Sequence, residues 1–313
     1  MTVKEARYQA AKTLAAHAIE DAPLEAELLL MHVLSIDRTH LYVRLEDELL
    51  PGEEQAFYHL INRRLTREPL AYVTGHREFF GHDFLVASGV LIPRQESELL
   101  VEEAIDFVKH HLPGFAEYAS ADNESIIALE LTEGNAVLQQ QYERNPVIAE
   151  IGTGSGAIAI SLALLLPQAT VYATDISPLA LEIAAINCER HNVQIHLLEG
   201  DLMDPVPQPV DIIIANLPYV RDEEWGGLSP EIKMYEPAVA LAGGRDGLDK
   251  IRQLIVNIPE KLRPGGIVLL EIGLSQGPEL VSWTKGLFPG TGVELVEDLG
   301  GVPRVFKANI DSE

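Results

Sequence analysis

Two hydrophobic patterns divide the chain, and the first covers residues 1 to about 70. Apolar residues there recur with helical spacing, and the stretch LEAELLLMHVL, which begins at Leu24, is apolar on all sides. The stretch PGEEQAFYHLINRRLTREP, which begins at Pro51, has acidic residues in its first turn and basic residues near its end, as the helix dipole favours. We therefore predict a small all-helical N-terminal domain over residues 1–75.

The pattern changes at Gly75. GHREFFGHDFLVASGVLIP is rich in glycine, aromatic and β-branched residues, which predicts a β-hairpin linker over residues 76–95. Helical spacing returns in ESELLVEEAIDFVKHHL, and we expect either Glu96 or Ser97 near the start of that helix. Residues 115–146 are polar and weakly periodic, so we interpret them as an insertion without an assigned role.

From residue 147 onward, short apolar segments alternate with helical segments. Such alternation predicts an α/β fold, in which a doubly wound and mostly parallel sheet is covered by helices on both faces. The predicted second domain spans residues 96–313. Its predicted strands are VIAEIG, TVYATDI, VQIHLLEGDL, VDIIIANLPY and GGIVLLEIG, followed by two strands around the Gly-Gly turn of GVELVEDLGGVPRVFKA.

Composition narrows the classes of function. The chain carries 23 Lys and Arg against 48 Asp and Glu, a net charge of −25, whereas a protein that binds bare nucleic acid needs a basic face. One basic trio, Arg63, Arg64 and Arg67, is expected to be a solvated helix face. The charge therefore favours a protein or a small molecule as the substrate, without a stable nucleic-acid partner.

The cellular location is predicted from three absences in the sequence. No run approaches the roughly 18 apolar residues of a membrane span, and the N-terminus lacks the apolar core of a signal peptide. Cys188 is the only cysteine, so no internal disulfide can form. We therefore expect a cytoplasmic protein without a membrane partner.

A glycine-rich loop, EIGTGSGAIAI, connects the first strand of the second domain to a helix. Gly152, Thr153, Gly154, Ser155 and Gly156 stand where the backbone turns sharply and lies close to a ligand, which glycine allows because it has no Cβ. The spacing G-x-G-x-G differs from the G-x-G-x-x-G of dinucleotide-binding proteins. It resembles motif I of S-adenosylmethionine-dependent methyltransferases, although strand-to-helix packing alone would also use such a loop.

The next two predicted strands also end in residues suited to an adenosine. Asp175 can accept both hydroxyls of a ribose, although it could instead cap the helix that begins with Ser-Pro. Asp201 and Leu202 stand where this enzyme class flanks the adenine, with the carboxylate accepting the exocyclic amine and the apolar side chain covering the ring. The resemblance implies S-adenosylmethionine as the cofactor, S-adenosylhomocysteine as its product, and no metal site.

The fourth strand ends in Asn216, Leu217, Pro218 and Tyr219, a quartet that resembles the N-P-P-Y motif of methyltransferases acting on planar nitrogens. An amide nitrogen is a poor nucleophile because its lone pair is delocalised, and two acceptors on its N–H groups can turn the lone pair toward the methyl. The predicted acceptors are the Asn216 side-chain oxygen and the Leu217 carbonyl, and Asn216 also borders the predicted cofactor site. Pro218 fixes the backbone, and Tyr219 is expected against the flat face of the substrate.

Leu217 stands where the motif usually has a proline, and N-L-P-Y also resembles the motif of ribosomal RNA adenine dimethylases. Flanking segments separate these possibilities. EPLAYVTGHREFFGHDFLVASGVLIPRQESELLVE resembles the signature of the HemK or PrmC family of bacterial release factor glutamine methyltransferases, with Gln95 and Ser97 where P-R-P-[DE]-T-E has proline and threonine. YEPAVALAGGRDGLD, LLEIGLSQG and DLGGVPRV resemble other motifs of the family.

This resemblance implies methyl transfer to the side-chain nitrogen of the glutamine in the Gly-Gly-Gln loop of class I peptide chain release factors. It also implies a methyltransferase fold and a substrate-recognition role for residues 1–75. Three alternatives remain open: a ribosomal protein L3 glutamine methyltransferase, a nucleic-acid adenine-N6 methyltransferase, and a cofactor-binding scaffold without catalysis.

Overall fold

The computed structural model describes residues 1–112 and 145–310, so the predicted insertion lies outside the described residues except for Asn145 and Pro146. The helices of this part, in chain order, are α1 (Val3–Ala16), α2 (Ala22–Leu34), α3 (Arg38–Val43), α4 (Pro51–Leu65), α5 (Leu70–Thr74), α6 (Glu98–His111), α7 (Ala157–Leu165), α8 (Pro178–His191), α9 (Pro230–Tyr235), α10 (Asp249–Lys261) and α11 (Gly277–Leu287). None of them has both the length and the apolar character that a bilayer span requires.

The strands are β1 (His76–Phe79), β2 (His82–Leu85), β3 (Val147–Ile151), β4 (Thr170–Asp175), β5 (His196–Glu199), β6 (Val210–Ala215), β7 (Leu262–Glu271), β8 (Gly292–Glu297) and β9 (Pro303–Asn309). β1 and β2 pair only with each other among the described strands, and β3 to β9 form one sheet. The chain divides into two compact units, which are described separately below.

The first unit is helical and contains α1 to α5 together with α9. Its residues are Met1–His76, Val86–Ser88 and Leu228–Glu236. Its core is formed by apolar side chains that helical spacing places on inward faces, among them the fully buried Leu29, Leu30 and Phe57. The assignment of substrate recognition to the N-terminal domain stays a prediction.

Within this unit, charges hold α9 against α4. Arg64 on α4 is only 5% exposed, and it donates to Glu25 at 2.6 Å and to Glu231 of α9 at 3.2 Å. Arg67 donates to the same Glu231 carboxylate at 2.9 Å. The prediction of a solvated basic face is therefore wrong for Arg64, because acidic side chains from two other segments surround it.

The second unit contains a seven-stranded sheet with the order β5-β4-β3-β6-β7-β9-β8. β3 to β7 are parallel, whereas β9 runs antiparallel between β7 and β8. The central strands β3 (VIAEI) and β6 (VDIIIA) are buried along their whole length, as expected for parallel strands covered on both faces. The predicted doubly wound, mostly parallel sheet is confirmed.

Helices cover both faces because the side chains of each strand alternate in direction. Ile213 of β6 packs in one core with Leu254 of α10 and Leu280 of α11, whereas Ile212 packs in another core with Leu100 of α6. Each large apolar side chain buried in this way contributes about 1.5–3 kcal/mol to stability. The two cores therefore provide a rigid base for the loops that follow the strands.

The chain order of the strands reverses between β3 and β6. β4 and β5 extend the sheet on one side of β3, and β6 and β7 extend it on the other side. Open α/β sheets bind ligands in the crevice outside the carboxyl ends of the strands at such a point. The loops after β3 and β6 therefore border the expected site.

Candidate active site

The glycine loop after β3 has a backbone that only glycine adopts readily. Gly152, Gly154 and Gly156 have left-handed conformations, with φ of 74°, 58° and 82°. Gly156 directly precedes α7, and a Cβ there would lie 3.0 Å from Ile160 Cδ1 and 3.2 Å from the Ala184 Cβ. Gly156 therefore serves the packing of α7, whereas Gly152 and Gly154 line a cavity.

This first cavity encloses about 740 Å³, counted to its open mouth. Loops that follow β3, β4, β5 and β6 all contribute to its wall. The predicted residues that line it are Gly152, Gly154, Asp175, Asp201, Leu202, Asn216, Leu217 and Pro218.

A second cavity of about 390 Å³ shares part of its lining with the first. Thr153 and Ser155 line it, and Asn216 borders both cavities, as does part of the glycine loop. Asn216 therefore lies at the junction of the two spaces. Gly156 and Tyr219 line neither of these two cavities.

Asp175 ends β4 and connects it to the glycine loop. Its two carboxylate oxygens accept hydrogen bonds from the backbone of Gly154 and of Ser177, both at 2.9 Å. Each oxygen keeps a further lone-pair direction, because a carboxylate oxygen can accept two hydrogen bonds. The cap of α8 is Ser177, whose hydroxyl accepts from Ala180 N at 3.3 Å. Asp175 is thus a half-buried, oriented acceptor in the cavity wall.

Glu150, the fourth residue of β3, is buried behind the glycine loop. One of its oxygens accepts hydrogen bonds from Thr153 Oγ1 at 2.5 Å and from Ala159 N at 3.0 Å. Burial raises the pKa of Glu150 to about 8, although these two hydrogen bonds lower it and the nearby Asp175 charge raises it further. The side chain thus joins the start of the loop to the first turn of α7.

Asp201 and Leu202 follow β5 in the wall of the first cavity. Asp201 is exposed and pairs with Lys250 Nζ at 3.2 Å, and exposed ion pairs of this kind contribute at most about 1 kcal/mol. Leu202 has a left-handed φ of 46°, and its carbonyl accepts a hydrogen bond from Thr174 Oγ1 at 2.9 Å. The Leu202 side chain packs into the core while it borders the cavity.

Residues 216–219 after β6, called the acceptor loop below, are held by the segments that follow them. Gln276 is buried and donates to the Tyr219 carbonyl at 2.9 Å. A Cβ at Gly247 would collide with that carbonyl oxygen and with the Gln276 amide, and a Cβ at Gly243 would lie 2.7 Å from the Pro218 carbonyl oxygen. Gly243 and Gly247 of YEPAVALAGGRDGLD are therefore needed so that this segment can lie against the acceptor loop.

A chain of hydrogen bonds connects the acceptor loop to two buried residues that the sequence analysis did not assign to the site. Asn216 Nδ2 donates to Ser97 Oγ at 2.9 Å, and Ser97 Oγ donates to Glu271 Oε2 at 2.5 Å. Glu271 Oε1 accepts from the Tyr219 hydroxyl at 3.0 Å. Burial raises the pKa of Glu271, whereas its two hydroxyl donors lower it. Burial and the Glu271 charge raise the pKa of Tyr219, so the phenol stays protonated and donates.

Ser97 stands where the sequence predicts the start of a helix, since α6 begins at Glu98. Its side chain makes no capping hydrogen bond to α6, and its hydroxyl goes to Glu271. The sequence also gave no role to several lining residues, because apolar side chains become part of a wall only through the fold. They are Val90, Leu91, Pro237, Val239 and Ala240.

Family models match both parts of the chain. The model of the PrmC N-terminal domain matches residues 5–75, and the model of the methyltransferase small domain matches residues 128–228. Over 311 residues the chain is 38% identical to a release factor glutamine methyltransferase of Moorella thermoacetica, with 98% of each chain covered. The chain belongs to the release factor glutamine methyltransferase family. It is an S-adenosylmethionine-dependent methyltransferase.

Other relatives agree with this assignment. Release factor glutamine methyltransferases of Geobacter sulfurreducens and Koribacter versatilis are 37% and 36% identical, covering 95% and 97% of this chain and 93% and 97% of their own. The family resemblance read from the flanking motifs is confirmed. Among solved structures, a ribosomal protein L11 methylase from Lactobacillus delbrueckii subsp. bulgaricus has a TM-score of 0.44 and 17% identity, over 72% of this chain and 84% of that one. Such a distant likeness adds nothing to the assignment.

Proposed function

We propose that this methyltransferase transfers the methyl group of S-adenosylmethionine to the side-chain amide nitrogen of the glutamine in the Gly-Gly-Gln loop of class I release factors. Family membership supports the reaction class and the release factor substrate. The position of Asn216 carries the proposal, because it is the predicted acceptor that borders both cavities.

The residues present fit the cofactor. The first cavity offers an oriented carboxylate, Asp175, to ribose hydroxyls, and its apolar wall includes Leu202 for the adenine ring. The second cavity has a more polar lining, with Thr153 and Ser155, which suits the methionine portion. When bound, S-adenosylmethionine supplies an electrophilic methyl on a sulfonium. The residues that would hold it are Asp175 and Leu202 in the first cavity and Thr153 and Ser155 in the second.

The acceptor loop would hold the substrate amide. Asn216 Oδ1 receives no hydrogen bond from any residue within 1–112 or 145–310, so it can accept one N–H of the glutamine. The Leu217 carbonyl would accept the other N–H, and Pro218 restricts Leu217 to extended backbone conformations. These acceptors aim the nitrogen lone pair at the methyl, and such positioning supplies a large share of catalysis. Tyr219 donates its hydroxyl to Glu271, so its contact with the substrate stays a prediction.

Charge supports a protein substrate over a nucleic acid. The net charge of −25 repels phosphates at long range, whereas release factors bind ribosomal RNA and need basic surfaces. Arg64 and Arg67, two members of the basic trio, are engaged by Glu25 and Glu231. The nucleic-acid alternative therefore gains no support from this part of the surface.

The test is methyl transfer from labelled S-adenosylmethionine to an intact release factor and to a variant whose Gly-Gly-Gln glutamine is replaced. We expect label in the first protein and none in the second. Equal labelling of both would refute the target atom. No label in either, with cofactor binding still measurable, would refute the substrate and direct the assay to ribosomal protein L3 and to RNA.

A further inference from the structure

The orientation of the Asn216 amide determines what the acceptor loop offers to a substrate. A carboxamide has an oxygen that accepts and a nitrogen that donates, and the two ends have nearly the same shape. Only the oxygen can accept an N–H of the glutamine. We propose that Glu271, acting through Ser97, is a positioning residue that holds the Asn216 amide with its oxygen toward the reacting nitrogen. This inference rests on the proposed function of Asn216.

The direction of the hydrogen bonds follows from Glu271. The Ser97 hydroxyl has a single proton, and it donates that proton to Glu271 Oε2, while the other oxygen of Glu271 accepts from the Tyr219 hydroxyl. Ser97 Oγ then offers only lone pairs to Asn216. The Asn216 end that meets it must donate, and that end is Nδ2, at 2.9 Å. A rotated amide would set its oxygen against the lone pairs of Ser97 Oγ.

The carboxylate is itself held in one position. Glu271 ends β7, next to β6, which ends just before the acceptor loop. The Tyr219 hydroxyl occupies its other oxygen at 3.0 Å, so both oxygens of this buried group have a donor. Burying a carboxylate is costly unless it is hydrogen-bonded, and the two hydroxyls meet this need. Asn216 and Tyr219, the two ends of the acceptor loop, are thus bonded to one network.

The placement of Ser97 is explained by this network and not by its own helix. Ser97 is 3% exposed and precedes α6, yet its hydroxyl makes no capping bond there. Serine at such a position usually caps the helix. Residues that break a local rule in this way are expected at functional sites.

Two variants separate the effect of hydrogen-bond direction from the effect of side-chain packing. Glu271→Gln keeps the shape and can still hydrogen-bond, but its amide can donate to Ser97, which frees Ser97 to donate to the Asn216 oxygen. Ser97→Ala removes the connection. We expect kcat at saturating cofactor to fall about 10- to 100-fold in both, as for residues that orient ligands at metal sites, with KM for the release factor and cofactor affinity within about twofold.

Matched controls test whether any substitution of a buried polar residue would lower kcat in the same way. Ser161→Ala removes a buried hydroxyl that bonds Ala157 in α7, and Asp211→Asn alters a buried carboxylate near the opposite end of β6. We expect kcat to stay near the wild-type value in both. Ser97→Thr keeps a hydroxyl, so it should recover most of the kcat that Ser97→Ala loses.

The outcomes distinguish this inference from the proposed function. If Asn216→Ala is inactive while Ser97→Ala and Glu271→Gln keep wild-type kcat, the positioning role is refuted and the proposed function stands. If Asn216→Ala is fully active, the proposed function of Asn216 fails first. If either Ser97→Ala or Glu271→Gln does not fold, the other variant decides, with Ser97→Thr as its reference.

Discussion

The glycine loop and the acceptor loop lie at the same edge of the sheet, but they are held in different ways. Behind each loop is a buried glutamate. Glu150 is the last residue but one of β3, Glu271 is the last residue of β7, and both are 2% exposed. The partners of Glu150 are three and nine residues away in the chain. The partners of Glu271 are 52 and 174 residues away.

This difference corresponds to two proposed tasks, binding of the cofactor and positioning of the substrate amide. On the cofactor side, the two hydrogen bonds of Glu150 stay within the glycine loop and the first turn of α7, and longer bonds, such as the one from Gly154 to Asp175, join neighbouring strand ends. The acceptor side needs α6, β6 and β7 in place before its hydrogen bonds exist. We therefore expect changes on the acceptor side to reduce turnover and changes on the cofactor side to reduce affinity.

Asn216→Ala gives the largest expected effect. It removes the proposed side-chain acceptor for the substrate amide, and the loss of one such oriented group lowers turnover by about 10²–10³-fold. Methyl-transfer kinetics would measure this loss, with calorimetry checking that cofactor affinity changes much less. Asn257→Ala, an exposed asparagine on α10, is the control and should be silent.

Gly247→Ala should displace the acceptor loop, because Gly247 belongs to a different segment that packs against it. Left-handed φ at Gly247 costs a side chain about 1–2 kcal/mol, and the collision with the Tyr219 carbonyl adds roughly 1–3 kcal/mol of overpacking. Gly265→Ala is the matched control, since Gly265 has a similar φ of 75° with no atom within 4 Å of the added Cβ. Equal losses of unfolding free energy in the two variants would contradict the contact, and so would unchanged turnover in Gly247→Ala.

Asp175→Asn should weaken the cofactor side alone. One proposed charged acceptor for the ribose is lost, and hydrogen bonds to charged groups contribute about 1.5–3 kcal/mol, so affinity for S-adenosylmethionine should fall at least about tenfold. At saturating cofactor, turnover should reach most of the wild-type value. Titration calorimetry and kcat together measure this, and Asp204→Asn, an exposed carboxylate outside the first cavity lining, is the control. If the substitution lowered kcat and left the affinity for S-adenosylmethionine unchanged, the assignment of Asp175 to the cofactor side would be wrong.

Glu150→Gln should change the pH dependence of stability. The folded state keeps the Glu150 proton up to about pH 8, whereas the unfolded chain releases it near 4.5. The contribution of protonated Glu150 to the free energy of unfolding is therefore fully present below pH 4.5, and it is lost as the pH rises to about 8. Denaturant unfolding should show a decline of about 1 kcal/mol per pH unit in this window for the parent protein. The Glu150→Gln variant should lack this decline. If the unfolding free energies of the parent and the variant changed with pH in parallel, the prediction would be wrong.

The strand ends that line the first cavity could be predicted from the sequence because their signals are local. The spacing of Gly152, Gly154 and Gly156 and the carboxylate of Asp175 each belong to one strand end, and hydrophobic alternation alone places those ends together. The helical pattern of the first 75 residues and the parallel sheet were predictable for the same reason.

The sequence could not predict contacts that depend on distant segments. Ser97 and Glu271 occur in motifs quoted for the family, but nothing in either segment indicates that they meet. The pairing of Asp201 with Lys250 and the burial of Arg64 have the same cause. Local propensity even suggested a different use for Ser97, since its residue type favours helix capping.

The pairing of Arg64 with Glu231 bears on recombination between relatives. A chimaera that exchanged residues 1–76 alone would inherit a buried arginine from one parent and residues 228–236 from the other. If the second parent lacked the acid at position 231, the Arg64 guanidinium would keep Glu25 and lose its other carboxylate partner. The first unit is therefore inherited as separate segments of the chain, and only crossovers that carry residues 1–76 together with residues 228–236 keep this ion pair.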